Sequence, residues 1–164
     1  MRVITLNVNG IRSAAKKGLV PWLAAQNADV VCLQEIKAHE ADLDASLLAP
    51  KGFHGHFHPA QKKGYAGVAL YSRVAPDRVV KGFGVREFDA EGRYLEATYG
   101  KLKVVSLYLP SGSAGEHRLQ QEPGVGTVMS YVDFLRRMHQ TLNADRPDAG
   151  ELPTTKRMAA QYLF

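Results

Sequence analysis

The stretch that most limits what this chain can fold into is Ala28-Asp-Val-Val-Cys-Leu-Gln-Glu-Ile-Lys37. Its four consecutive apolar residues, Val30 to Leu33, predict a strand buried on both faces, and such a strand ends where polar side chains gather. Gln34, Glu35 and Lys37 are that gathering. A carboxylate at the end of a buried strand is held by a rigid scaffold beside a cleft, where a metal ion or a reacting phosphate can be gripped. A surface glutamate following a core strand is the plainer reading, and this stretch alone leaves both open.

The 164 residues, 45% of them hydrophobic, are one globular domain's worth of chain. No apolar run approaches the length that crosses a bilayer, and Met1-Arg2 followed by a strand does not read as a signal peptide. The expectation is a soluble, cytoplasmic protein with no membrane partner. The single cysteine, Cys32, falls inside the buried strand and reads as a small core hydrophobe, so neither a disulfide nor a cysteine-ligated zinc site is expected.

Charge is unevenly placed. Residues 1–120 hold 16 Lys and Arg against 11 Asp and Glu, whereas residues 121–164 hold five of each, so the whole surplus of five lies in the first part. That surplus suits a polyanionic partner, although many basic domains bind no nucleic acid.

Residues 2–9 alternate Val3, Thr5, Asn7 and Asn9 against Ile4, Leu6 and Val8, a strand with one apolar face closed by Gly10. Asparagine is disfavoured inside strands, so two on one face point to a polar site at the strand's end. Asn9-Gly10 is itself a turn signal, but Asn7 lies too early to belong to it. Residues 11–27 predict a helix, with Ile11, Ala14, Ala15, Leu19, Trp22 and Leu23 as its apolar stripe, Arg12, Lys16 and Lys17 opposite, and Pro21 opening a second segment. Strand, helix and buried strand make a β-α-β unit, which brings Asn7 and Glu35 to one edge of a sheet.

Further along, residues 41–48 predict a short helix. His54, His56 and His58 then alternate along a strand, a spacing that metal sites use but that equally fits a solvated strand face. Gln61-Lys-Lys-Gly-Tyr-Ala-Gly67 is a basic, glycine-bearing loop; lysines beside a closely approachable backbone suit phosphate contact, and an ordinary hairpin turn fits as well. Strands are expected over residues 68–72, 78–85, 94–99 and 102–109, with a charged turn at 87–92 and a loop from Pro110 to Gly115. Tyr108, like Glu35, is a polar-tipped residue ending a largely apolar strand, although such a tyrosine is commonly a hydrogen-bonded core residue.

Taken together, Leu6-Asn-Val-Asn-Gly10, Leu33-Gln-Glu-Ile-Lys37, Gly64-Tyr-Ala-Gly-Val-Ala69, Gly92-Arg93 and Ser106-Leu-Tyr-Leu-Pro-Ser-Gly112 resemble the amino-terminal half of the exodeoxyribonuclease III class of AP endonucleases, in the endonuclease/exonuclease/phosphatase superfamily. The resemblance covers residues 1–119. It implies an α/β fold, here part of a four-layer sandwich of two face-to-face sheets with helices outside. It also implies DNA repair chemistry: incision beside abasic sites in double-stranded DNA, with exonuclease and 3′-phosphodiesterase activities, using Mg2+ or Mn2+. Glu35 matches the family's metal carboxylate, and Asn7 the residue beside it that helps position metal and phosphate. Tyr108 matches a tyrosine near the scissile phosphate, where a phenol donates to an oxygen whose charge grows in the transition state. Arg93, Lys62 and Lys63 are expected to contact the DNA backbone, the two lysines by loop position only.

The family pattern continues with a Gly-Asp-x-Asn strand and a Ser-Asp-His segment, and neither follows Tyr108 here. Residues 120–164 read instead as a helical extension, with an amphipathic helix over 130–142 and a second from about Thr154, and loosely resemble a piece of the soluble domain of resistance-nodulation-division exporters. Strands 94–99 and 102–109 are therefore expected to present open edges. Two functions remain in view: a metal-dependent repair nuclease, and an inactive fragment that at most binds nucleic acid weakly. A superfamily phosphodiesterase acting on lipids or small molecules fits the basic surplus less well.

Overall fold

The computed structural model describes residues 1–109, the first of two compact units into which the chain divides. The expectations for residues 110–164, including the helical extension, lie outside the described residues.

The β-α-β unit forms as the periodicities require. Strand β1 (Val3–Asn7) and strand β2 (Val30–Gln34) run parallel, with Val3 opposite Val30 and Asn7 opposite Gln34. Between them the expected helix, with a second segment opening at Pro21, is two: α1 (Ile11–Lys16) and α2 (Leu19–Ala25). The break is made by Gly18, whose φ of 93° is left-handed, and not by Pro21. Pro21 sits in the first turn of α2, where a missing N–H costs no intrahelical bond.

Strand β3 (His54–His58) and strand β4 (Val68–Ser72) complete a four-stranded sheet in the order β1-β2-β4-β3, with β4 antiparallel to both neighbours. The helix expected over 41–48 is a 3-10 turn at Glu40–Asp42 followed by α3 (Ala45–Leu48), because Asp44 caps the latter by accepting the Leu47 N–H at 3.0 Å.

A second sheet has the order β5-β6-β7, from Arg78–Lys81, Tyr94–Tyr99 and Leu102–Leu107. Three expectations are corrected here. The strand expected over 78–85 stops at Lys81, since the Asp89 carboxylate accepts the N–H groups of Phe83 (2.9 Å) and Gly84 (3.0 Å) and pulls that segment out of the sheet. The charged turn at 87–92 begins inside a short helix, α4 (Arg86–Asp89). Nor is the 94–99 strand an open edge: β6 pairs antiparallel with β5 on one side and β7 on the other.

The run Val30 to Leu33 is buried on both faces because each face has its own cover. Val31 and Leu33 point to the helices, in a core with Ile11, Leu19, Leu23, Leu47 and Phe57. Val30 and Cys32 point to the second sheet, in a core with Val68, Leu70, Leu95, Ala97 and Val104. Each buried Val or Leu of this run contributes roughly 1.5–3 kcal/mol of transfer free energy. Burial also pushes the Cys32 thiol up to about 11, as befits a core residue and not a reactive one. Helices, sheet and sheet are thus three stacked layers of an α/β sandwich.

Candidate active site

The strand ends that carry polar residues converge. β1 and β2 finish at the same edge of the first sheet, β4 begins there opposite Gln34, and β3 ends there opposite the start of β4. The parallel ladder continues past the strands, with Val8 N–H to Gln34 O (3.0 Å), Gly10 N–H to Glu35 O (2.7 Å) and Ile11 N–H to Ile36 O (2.9 Å). From the other side, Ile36 N–H reaches Gly67 O (3.1 Å) and Lys37 N–H reaches Ala66 O (2.9 Å). The turn bearing Glu35 is therefore clamped between the chain after β1 and the basic loop before β4.

That clamp holds an unusual backbone. Asn9 (φ 44°), Glu35 (φ 53°), Lys37 (φ 49°) and Ala66 (φ 37°) are the four non-glycine residues with left-handed φ among the described residues, and all four belong to this edge. Asparagine tolerates that conformation, whereas the others do so at a cost of order 1–3 kcal/mol each, which persists only where surrounding bonds fix the chain.

Within this frame the side chains interlock. Asn7 Nδ2 donates to Glu35 Oε1 at 2.8 Å, while Asn7 Oδ1 accepts the Asn9 N–H at 3.0 Å. Lys37 Nζ lies 2.8 Å from Glu35 Oε2 and also donates to Asn9 Oδ1. The Glu35 carboxyl is held below its ordinary value of 4.5 by the Lys37 ammonium, then by the Asn7 amide, with Tyr108 adding to the effect and partial burial opposing it. It is a carboxylate at neutral pH.

Tyr108 follows β7 directly, and its N–H donates to Arg93 O at 2.9 Å. Burial raises the phenol above its ordinary value of 10.0, the Glu35 carboxylate adds to the rise, and Arg93 opposes it. Tyr108 is thus a protonated donor facing Glu35 at neutral pH. The two sheets are pinned beside this point by Gln34, whose Nε2 lies 3.5 Å from Ser106 Oγ, and by Ser106, which donates to Leu33 O at 3.2 Å.

Asn7, Glu35 and Tyr108 are brought together at this edge. Lys62 and Lys63 are exposed on the loop clamped against the Glu35 turn. Arg93 is placed differently from a surface cation: it is only 3% exposed, it pairs with Glu91, and its Nη2 donates to Tyr65 Oη at 3.1 Å. The histidines of β3 do not assemble a metal site. His58 Nδ1 sits 2.7 Å from the Tyr94 carbonyl oxygen, and no three His, Cys, Asp or Glu side chains group together among the described residues.

Residues 4–161 match the model of the endonuclease/exonuclease/phosphatase family. The chain belongs to that family. An exodeoxyribonuclease of Bacillus subtilis is 34% identical over 137 residues, covering 80% of this chain and 52% of the relative. A DNA-(apurinic or apyrimidinic site) endonuclease of Dictyostelium discoideum is 33% identical over 149 residues, covering 90% of this chain and 39% of the relative. Among solved structures, an AP endonuclease from Archaeoglobus fulgidus superposes with a TM-score of 0.67 at 27% identity, over 88% of this chain and 52% of that one. The chain spans about half the length or less of these relatives.

Four residues that bond to this cluster escaped the sequence reading as site candidates. Lys37 and Asn9 were visible only as strand-end polarity and a turn, and Tyr65 only as an aromatic in a basic loop. Glu91 carried no signal, since its role depends on Arg93 being buried.

Proposed function

We propose that residues 1–109 build the metal- and phosphate-binding side of a DNA repair nuclease, one that hydrolyses phosphodiesters of double-stranded DNA at abasic sites with Mg2+ or Mn2+. The observation that carries this reading is the convergence of Asn7, Glu35 and Tyr108 on one strained, hydrogen-bonded edge. The site offers a hard divalent cation one ionised carboxylate, in a place where the remaining ligands would be water. Glu35 would hold the cation, and Asn7, which donates to Oε1, would aim the carboxylate. Such an ion supplies charge stabilisation to a phosphoryl oxygen.

The chain's own groups then have defined tasks. Tyr108, protonated at neutral pH, donates to a phosphate oxygen as its charge develops. Lys62 and Lys63 meet the DNA backbone, which positions the duplex without reading its sequence. An extrahelical abasic sugar would enter at the same edge, as flipped nucleotides do.

A second reading, DNA binding without cleavage, is favoured by one observation: Glu35 is not part of any three-ligand group among the described residues, and a lone carboxylate holds Mg2+ weakly. The deciding experiment is incision of a duplex bearing one abasic analogue, with Mg2+, against Glu35→Ala. Cleavage that disappears in the variant supports the nuclease. Absence of cleavage by a folded wild-type protein leaves the binding-only reading.

A further inference from the structure

Arg93 is the most deeply buried cation among the described residues, at 3% exposure, and each of its three guanidinium nitrogens has a partner. Nε pairs with the Glu91 carboxylate, Nη1 lies 3.5 Å from the Tyr108 carbonyl oxygen, and Nη2 donates to Tyr65 Oη at 3.1 Å. The flat group also lies against two rings, 5.0 Å from the Tyr108 centroid and 5.9 Å from that of Tyr65. Its own carbonyl accepts the Tyr108 N–H. Tyr108 is therefore held at backbone and ring by one residue.

We propose that Arg93 is a positioning residue for Tyr108: bracketed by Tyr65 and neutralised by Glu91, it fixes the phenol at the Glu35 edge and does not itself meet DNA. This rests on the nuclease reading of Tyr108. Three features favour it over a phosphate contact. A guanidinium whose nitrogens are already shared among a carboxylate, a carbonyl and a hydroxyl has little left to give a phosphate. Its charge is balanced within the same cluster. Exposed lysines stand on the adjoining loop, with Lys62 Nζ 5.7 Å from the outer ring, Tyr65, so the surface task is already filled. Only a planar fork can serve three acceptors and two rings at once, so lysine is not an equivalent.

The test compares Arg93→Met and Arg93→Lys with wild type, using a duplex bearing one abasic analogue. DNA affinity is measured across KCl concentrations, cleavage is followed by kcat and KM, and the ring of Tyr108 is followed by NMR at one fixed neutral pH in protein carrying ring-labelled tyrosine, its signal assigned by Tyr108→Phe. The groups facing that phenol are Glu35 from the end of β2, Arg93 ahead of β6 and Tyr65 from the loop. The expected result for Arg93→Met is an unchanged salt slope and KM, a kcat lower by about 10- to 100-fold, and a Tyr108 ring signal that shifts and broadens because the guanidinium stacked on the ring is gone. Arg93→Lys should not restore kcat. Lys62→Met, by contrast, should lower the salt slope by about 0.9.

A salt slope that falls by about 0.9 in Arg93→Met, or a Tyr108 ring signal identical to wild type, overturns the proposal. If wild type does not cleave, the nuclease reading fails, and the slope and the ring signal still decide. If Arg93→Met does not fold, Tyr65→Leu removes the exposed side of the bracket instead; a Tyr108 signal identical to wild type in that variant is equally fatal.

Discussion

Asn7 and Glu35 stand 28 positions apart in the chain and are joined by a 2.8 Å hydrogen bond, from Asn7 Nδ2 to Glu35 Oε1. The bond exists because β1 and β2 are parallel and in register, so that the last residue of one lies beside the last of the other. With its amide oxygen taken by the Asn9 N–H, Asn7 is locked in the orientation that aims its amide at the carboxylate.

Asn7→Ala removes that aim and leaves Glu35 tethered by Lys37 and Tyr108. On the proposed metal role, Mn2+ affinity, read by titration of the free-ion EPR signal, should fall by about 10-fold, in the range found when groups supporting a metal ligand are removed. Stability in urea should drop by about 1 kcal/mol. Unchanged Mn2+ affinity would show that Asn7 does not orient a metal ligand.

Glu35 also makes stability depend on pH with a definite sign. Its folded carboxyl lies below the ordinary 4.5 because Lys37 and Asn7 favour the ionised form. Ionised Glu35 therefore adds stability that is fully present above 4.5 and lost as pH falls through the lower, folded value. Glu35→Gln should be less stable than wild type at neutral pH and should show a shallower loss of stability on acidification. Parallel pH profiles for the two proteins, measured by urea unfolding, would contradict this assignment.

Much of this arrangement is legible in the sequence because it rests on local periodicity. The alternation of residues 3–9 and the unbroken run Val30 to Leu33 fix one strand with a single buried face and one with two, and the helix between them makes the pair parallel. Asn7 and Glu35 follow at a shared edge. What escaped reading depends on contacts distant in sequence or on short polar side chains acting locally. Residues 83–85 have the apolar look of a strand, but the Asp89 carboxylate takes two of their N–H groups. Charged residues are almost never fully buried unless paired, so the pattern around Arg93 pointed to the surface; its burial follows from Glu91, Tyr65 and Tyr108 closing over it.

Gly92, just ahead of Arg93, shows how tightly that segment is seated. Its φ is 60°, and a Cβ there would approach His58 O and Pro59 C to 2.5 Å and Ala60 N to 2.7 Å, all of them backbone atoms that cannot swing aside. Gly92→Ala should cost about 1–3 kcal/mol through strain and forced displacement. Gly64→Ala is the control: it has φ 72° but nothing within 4 Å. It should cost clearly less, since only conformational strain remains. Equal losses in thermal unfolding would mean that the close approach to residues 58–60 carries no weight.

Ser106 ties the two sheets together at the point where Glu35 emerges. It is fully buried, donates to Leu33 O at 3.2 Å, and lies 3.5 Å from Gln34 Nε2, while Gln34 Oε1 accepts from Thr5 Oγ1 at 3.2 Å. Ser106→Ala keeps the volume nearly constant but leaves the Gln34 amide without its partner in the second sheet, which should cost about 1–3 kcal/mol. Because both groups are uncharged, that loss should be the same in low and high salt. Ser106→Val should cost more, since a branched side chain must fit against β2 where 0% of the serine is exposed. If Ser106→Ala proved as stable as wild type, the contact between Gln34 and Ser106 would be a consequence of sheet packing and not one of its causes.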